Sequence, residues 1–311
     1  MSGADYALSE TYEFGEAMSR AYSEYSYQPC VFEFPGGVTI ALPLVQVKRR
    51  PGFLRCFEAM PLSLSGAPIS VTGALTSDHW LAALGSLESD SIYINAGSVR
   101  RLPAGSWAQS GEFVTQDCVT HVLDLSRGFD QIWTGSFSGK VRNQCRAAER
   151  KGVEVHAAAS PEDFETYYSI YVSSTARWGY GSPPYPPGLF RSLAGLLGKG
   201  VDLRLARVHG QAVAGILLFR GRRTTLYWSG AMLKDFGSYN PNNALLRSAI
   251  EEACSRGETA FDFGGSGSLD SVRAFKESFG ARPVIYQNAM FTTSRYRLMT
   301  RARTALAQVG I

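Results

Sequence analysis

Most of the short signatures that would narrow a function are missing from this chain of 311 residues. Its five cysteines, Cys30, Cys56, Cys118, Cys145 and Cys254, are scattered, odd in number and never spaced as CxxC, which argues against both a disulfide framework and a zinc site. No stretch approaches the ~20 apolar residues that span a bilayer. The opening MSGADYALSETYEFGE carries acidic residues where a secretory signal carries basic and then apolar ones. The expectation is a cytoplasmic protein with no integral membrane association. No GxSxG or HExxH occurs, so the usual hydrolase and metalloprotease nucleophile motifs are excluded. None of the four histidines, His79, His121, His156 and His209, has a partner at metal-ligating spacing, and no metal is expected.

The composition that remains is that of a globular protein, 45% hydrophobic and 19% charged, long enough for two domains with real cores. The net charge of +4 is modest, but basic residues gather at Lys48-Arg49-Arg50 with Arg55, at Arg142, Arg146 and Arg150, and at Arg295, Arg297, Arg301 and Arg303. Arg142, Arg146 and Arg150 recur at a spacing of four within a stretch that reads as helical from 130 to 151, so they share one face. Such a stripe suits a phosphate-bearing partner such as nucleic acid, or is simply a solvated helix face.

Periodicity and punctuation predict alternating helices and strands. ALSETYEFGEAMSRAYSEY reads as a helix, and FEFPGGVTIALPLVQVKR as a hairpin turned at Pro35-Gly36-Gly37. TSDHWLAALGSL reads as a helix, IYINA and DCVTHVLDL as strands. Beyond VEVHAA, Ser160 followed by Pro161 and acidic residues opens a helix. After the loop GSPPYPP and a helix around LFRSLAGLLGKG come three strands, DLRLARV, AVAGILLFR and TTLYWSGAM. The apolar stripe of NALLRSAIEEACSRG marks another helix, closed by Gly257. TAFDFGG, SVRAFKESFG, ARPVIYQNAMF and SRYRLMTRARTALAQV then read as strand, short helix, strand and helix. This order predicts mixed α/β sheets.

Within FDFGG the strand alternation sends Phe261 and Phe263 to one side and Asp262 to the other. Asp262 would position or deprotonate an attacking amine, or hydrogen-bond its own loop. Gly264 and Gly265 would let a ligand approach the backbone, or permit a turn. Tyr227 and Ser229 at the end of one strand, and Arg177, Trp178, Tyr180 and Tyr185 around the proline-rich loop, are candidates for substrate binding or for loop packing. Asn242 is the expected cap of the helix that follows it. Arg207-Val208-His209-Gly210-Gln211-Ala212 fits a pyrophosphate-loop string, but in a tight turn between strands it reads as a chance match.

KVRNQCRAAERKGVEV (140–155), LYWSGAMLKDFGSYNPNNALLRSAIEEACSRGETAFDFGGS (226–266) and FDFGGSGSLDSVRAFKESFGA (261–281) together resemble the FemAB group, peptidyltransferases built on tandem acetyltransferase-like (GNAT) domains. The resemblance implies two tandem GNAT-like (acyl-CoA N-acyltransferase-like) domains, drawn at 1–150 and 151–311, with helix 294–311 returning to pack on the first. It implies transfer of an aminoacyl or acyl group to an amine. The FK of AFKESFG matches the position where a lysine stabilises the reaction centre, which makes Lys276 the candidate charge and Phe275 the aromatic that helps hold the donor. No tightly bound cofactor is implied. The donor would be aminoacyl-tRNA and the acceptor an amine-bearing peptide or small molecule; acyl-CoA or an acyl carrier is the alternative donor, and a non-catalytic nucleic-acid or membrane-surface module the alternative role. The family's coiled-coil arm has no counterpart, since no long heptad run occurs. Where members acting on nucleotide-linked cell-wall precursors have a further arginine and a tyrosine-rich helix after the segment matching ARWGY, this chain has GSPPYPPG, which argues against such an acceptor.

Overall fold

The computed structural model describes residues 6–48, 52–97, 113–267 and 269–308, with side chains to Arg301 in the last helix. Arg49, Arg50 and the side chain of Arg303 lie outside the described residues. The chain divides into two compact units, one built on Ser9–Cys118 with Tyr286–Ile311, the other on Val119–Ile285. The sequence reading draws its boundary at 150 instead. Helix packing explains the difference, because the basic helix that ends at Arg150 lies against a helix of the second unit.

In the first unit, α1 (Tyr12–Ala21) starts where Thr11 accepts a hydrogen bond from the Phe14 N–H. β1 (Tyr25–Tyr27) follows, then β2 (Cys30–Phe34) and β3 (Val38–Leu42), a hairpin whose turn places Gly36 and Gly37 at φ of 86° and 78°. Only glycine enters that region twice in succession without steric cost. Pro43 lacks the N–H that a continuous ladder needs, and the chain changes sheet there: β3 pairs with β6 (Ile69–Thr72), whereas β4 (Leu44–Val47) joins β1 and β5 (Cys56–Ala59). After α2 (Ser77–Ser86), β7 (Ser91–Asn95) pairs parallel with β5. The core between these layers holds Ile40, Leu42, Leu44, Phe57, Trp80, Ile92 and Ile94.

β8 (Phe113–Asp124) carries the chain into the second unit, followed by α3 (Phe129–Gln131) and α4 (Gly139–Arg150). A π-helical turn over Ile132–Ser136 and the capping of Val141 N–H by Ser138 break the single helix expected from 130 to 151. β9 (Glu154–Ala157), α5 (Pro161–Arg177) and α6 (Pro187–Ala194) precede β10 (Val201–Val208), β11 (Gln211–Arg220) and β12 (Thr224–Met232). α7 (Pro241–Ser255), β13 (Ala260–Gly265) and α8 (Asp270–Ser278) complete the unit, and within β14 (Arg282–Thr292) the chain returns to the first. There β14 pairs antiparallel with β7, and α9 (Ser294–Gln308) buries Tyr296 with Leu54 and Cys56.

The second unit's strands run β8-β13-β12-β11-β10-β9. Alternation along β11 sends Ala214, Ile216 and Leu218 to a core shared with α4 and α7, and turns Gly215 toward Tyr167 of α5. Both units repeat one strand order. In the first, β4, β5, β7 and β14 pair antiparallel, parallel, antiparallel; in the second, β11, β12, β13 and β8 do the same.

Candidate functional site

In the second unit the parallel pair β12 and β13 is in register from Thr224↔Ala260 to Leu226↔Asp262. Beyond Asp262 the strands part, β12 staying on β11 and β13 on β8, where Gly265 pairs with Thr120. A wedge thus opens at the carboxyl ends of two parallel strands, the place where open α/β sheets bind ligands. β12 is irregular at the same level: Leu217 faces Ser229 and Leu218 faces Tyr227, so Trp228 is an extra, bulged residue.

The β13 side of the wedge is held by buried polar groups. Phe261 and Phe263 enter the core and Asp262 turns to the other face, as the alternation requires. Asp262 Oδ1 accepts from Thr120 Oγ1 at 2.5 Å and from the Gly264 N–H at 2.8 Å. Gly264, at φ 72°, turns the backbone there. α8 packs Phe279 into the core and Phe275 against it, and this delivers Lys276 inward, 4% exposed. The Lys276 Nζ donates to the Gly264 carbonyl at 2.7 Å and to the Gly265 carbonyl at 2.6 Å, leaving one of its three N–H donors uncommitted among the described residues. Burial pulls its pKa down to about 8, partly offset by the negative charge of Asp262.

Two further residues at this end, His121 and Ser266, have no motif to announce them. Their signal is a polar pair, Thr120 and His121, within the strand pattern of DCVTHVLDL, since a buried polar side chain tells more than an apolar one. His121 is 2% exposed; its Nδ1 lies 3.4 Å from Ser266 Oγ and its Nε2, 3.6 Å from Glu277 Oε1, has no hydrogen-bond partner among the described residues.

The remaining candidates are held by separate contacts. Ser229 accepts from the buried Tyr167 hydroxyl at 2.9 Å, and burial pushes the Tyr227 phenol up to about 12. Arg177 donates to the Met232 carbonyl at 3.0 Å, holding the end of β12. Tyr185 stacks on Trp228 with centroids 4.7 Å apart, which ties the proline-rich loop to the bulge, whereas Trp178 and Tyr180 are about half exposed (50% and 54%). The basic stripe divides as well. Arg142 folds back onto the carbonyls of Trp133, Thr134 and Phe137, Arg146 lies over the Trp133 ring at 5.8 Å, and Arg150 is exposed. Asn240, left-handed at φ 56°, occupies the N-cap position of α7 in place of the expected Asn242, whose side-chain oxygen is buried without a hydrogen bond among the described residues. Arg207 donates to Gly210 across the β10–β11 turn, so the pyrophosphate-like string opens no helix.

Residues 135–277 match the acetyltransferase (GNAT) domain family. FemX superimposes with a TM-score of 0.72 over 94% of each chain at 14% identity. A DUF2156 C-terminal domain from Agrobacterium fabrum, assigned to a lysylphosphatidylglycerol synthetase, gives 0.57 at 12% identity over 94% of this chain and 96% of that one, and L-PGS from Bacillus licheniformis gives 0.53 at 14% over 92% and 95%. No curated protein matches by sequence. The fold is therefore the tandem GNAT-like architecture of the FemAB type, the same strand order recurring in each unit. No helix among the described residues is long and apolar enough to cross a membrane.

Proposed function

We propose that the protein is an acyltransferase that moves an aminoacyl group from aminoacyl-tRNA to the amine of a peptide or small-molecule acceptor. The observation that carries this reading is the buried ammonium of Lys276 held on Gly264 and Gly265 at the mouth of the β12–β13 wedge. Attack by the amine nitrogen on the ester carbonyl forms a C–N bond and a tetrahedral oxyanion, which collapses as the C–O bond to the ribose breaks. Fixed donors aimed at that oxyanion supply the main stabilisation in such reactions. Lys276 contributes a charge, and because each peptide unit is planar its grip on two carbonyls also fixes which way the N–H groups of Gly265 and Ser266 face. No covalent enzyme intermediate is needed. The named neighbours FemX and L-PGS, and the wedge itself, support this reading; Asp262 serves it by holding Gly264 in place.

The match to an acetyltransferase domain favours a second reading in which the donor is an acyl-CoA or acyl-carrier thioester attacked in the same wedge. A ligand that binds only the folded state raises the melting temperature, so thermal shift with charged tRNA and with a panel of acyl-CoAs separates the two. The expected result is stabilisation by charged tRNA and consumption of its ester when an amine is supplied. Stabilisation and turnover with acyl-CoA alone overturns the tRNA donor.

A further inference from the structure

Buried polar atoms are almost always partnered, and one that is not calls for an explanation. Among the described residues His121 Nε2 has no hydrogen bond; it is shielded from solvent and lies at ion-pair distance, 3.6 Å, from the Glu277 carboxylate, of which about half is exposed. On the opposite side of the ring, Nδ1 reaches Ser266 Oγ at 3.4 Å. Ser266 is the residue directly after the glycine pair that Lys276 grips, and it lies between exposed Gly265 and Gly267. The order Ser266, His121, Glu277 therefore runs from the mouth of the wedge through a shielded imidazole to the surface. For Nδ1 to accept from Ser266 the neutral ring carries its proton on Nε2, which then faces the Glu277 carboxylate at ion-pair distance; hydroxyl, imidazole and carboxylate in this order are the groups of a proton relay. Catalytic hydrogen bonds are often long before substrate binds.

We infer that Ser266, His121 and Glu277 form a proton shuttle for amine attack in this wedge; the inference rests on the acyl-transfer reading given above. As the acceptor nitrogen bonds to the carbonyl carbon it must lose one proton. Ser266 Oγ takes that proton while passing its own to His121 Nδ1, and the Glu277 carboxylate faces the imidazolium that results. When the C–O bond breaks, the same path runs backward and delivers the proton to the leaving ribose oxygen, or to the leaving sulfur of a thioester donor. The cycle ends with an amide, a protonated leaving group and a neutral imidazole. Ser266 is thus the catalytic residue of the three, and His121 and Glu277 are positioning residues acting through it. The other ionisable groups on these elements are Asp117, Cys118 and Asp124 of β8, Asp262 of β13, and Asp270, Arg273 and Lys276 of α8.

Two measurements on the full chain test this. The first reads the ring nitrogens of His121 by nuclear magnetic resonance of the unliganded protein. Ser266→Ala should move the Nδ1 resonance and Glu277→Gln the Nε2 resonance; ring nitrogens that neither substitution moves overturn the proposal whatever the donor proves to be. The second is single-turnover kinetics with whichever donor, charged tRNA or acyl-CoA, the protein consumes. Ser266→Ala and His121→Gln should each slow the chemical step by about 10²–10⁴-fold, the usual reach of general acid–base catalysis, with donor affinity unchanged. Because the two act on one proton path, the double variant should be little slower than either single one. Parental rates in Ser266→Ala, or fully additive losses in the double variant, sink the shuttle. Loss of turnover in Lys276→Ala beside parental rates in Ser266→Ala would leave the transferase reading standing without it; a protein that consumes neither donor removes the transferase reading while the ring-nitrogen resonances still decide the shuttle's premise.

Discussion

Lys276 Nζ and the Gly265 carbonyl oxygen lie 2.6 Å apart, so the buried ammonium rests on main chain rather than on a carboxylate. Its charge is consequently held by dipoles and by the more distant field of Asp262, and it is lost at an unusually low pH.

If that charge stabilises the oxyanion, turnover falls as pH rises through about 8, where Lys276 deprotonates. Lys276→Arg should move this alkaline limb upward, and Lys276→Ala should cost about 10²–10³-fold in rate, the range for losing one oxyanion donor. Linkage gives a second readout. Between about 8 and ~10.4 the unfolded lysine binds more proton than the folded one, so stability of the parent rises with pH across that window. Lys276→Met removes the rise, which urea titrations at several pH values would detect.

Asp262 raises the pKa of Lys276. Asp262→Asn should therefore shift the alkaline limb of the rate profile to lower pH. Thr120→Val keeps the volume but strips the 2.5 Å hydrogen bond from Asp262, and should destabilise the protein by about 1–3 kcal/mol. Unchanged urea midpoints in Thr120→Val would show that the Asp262 clamp contributes nothing to stability.

The three arginines of α4 should separate by assay. Arg142 is engaged on three carbonyls, so Arg142→Ala lowers thermal stability and leaves tRNA affinity in place. Arg150 is exposed, and Arg150→Ala should weaken tRNA binding and reduce its salt slope by about 1. Titrations between 50 and 200 mM salt read this; equal slopes in the two variants would remove α4 from the tRNA surface.

Gly280, at φ 86°, approaches Ser136 so closely that an added Cβ would lie 2.6 Å from the serine Cβ. Gly257, at φ 73°, has nothing within 4 Å of the same position. Gly257→Ala should lose roughly 1–2 kcal/mol from its left-handed backbone alone, and Gly280→Ala about 1–3 kcal/mol more from overpacking. Equal losses in denaturant unfolding would mean that the Ser136 loop yields freely.

Elements whose cause is local were legible in the sequence. Ser160 takes the N-cap position expected at the start of α5, with Pro161 behind it, and the Gly36-Gly37 turn closes its hairpin. Lys276 was reachable through resemblance, but not its grip on Gly264 and Gly265, since that depends on how α8 docks. His121 escaped for a similar reason: it lies 145 residues from Ser266, and no period within one strand reports a partner that far along the chain. Arg142, Arg146 and Arg150 show the reverse limit, because spacing places three charges on one face but says nothing of the carbonyls a π-turn leaves open beside the first. The division at 118 and 285 rather than 150 was hidden because strand exchange between repeats leaves no mark on composition.

β14 reaches β7 only after all of the second unit has been made. During synthesis the amino-terminal sheet must therefore wait on the ribosome with the open edge of β7 unpaired, while the unit encoded later can fold around its own strands first. Nascent chains halted near residue 285 would accordingly need shelter by a chaperone, and a fragment ending there should aggregate through the very edge that the last strand is made to close.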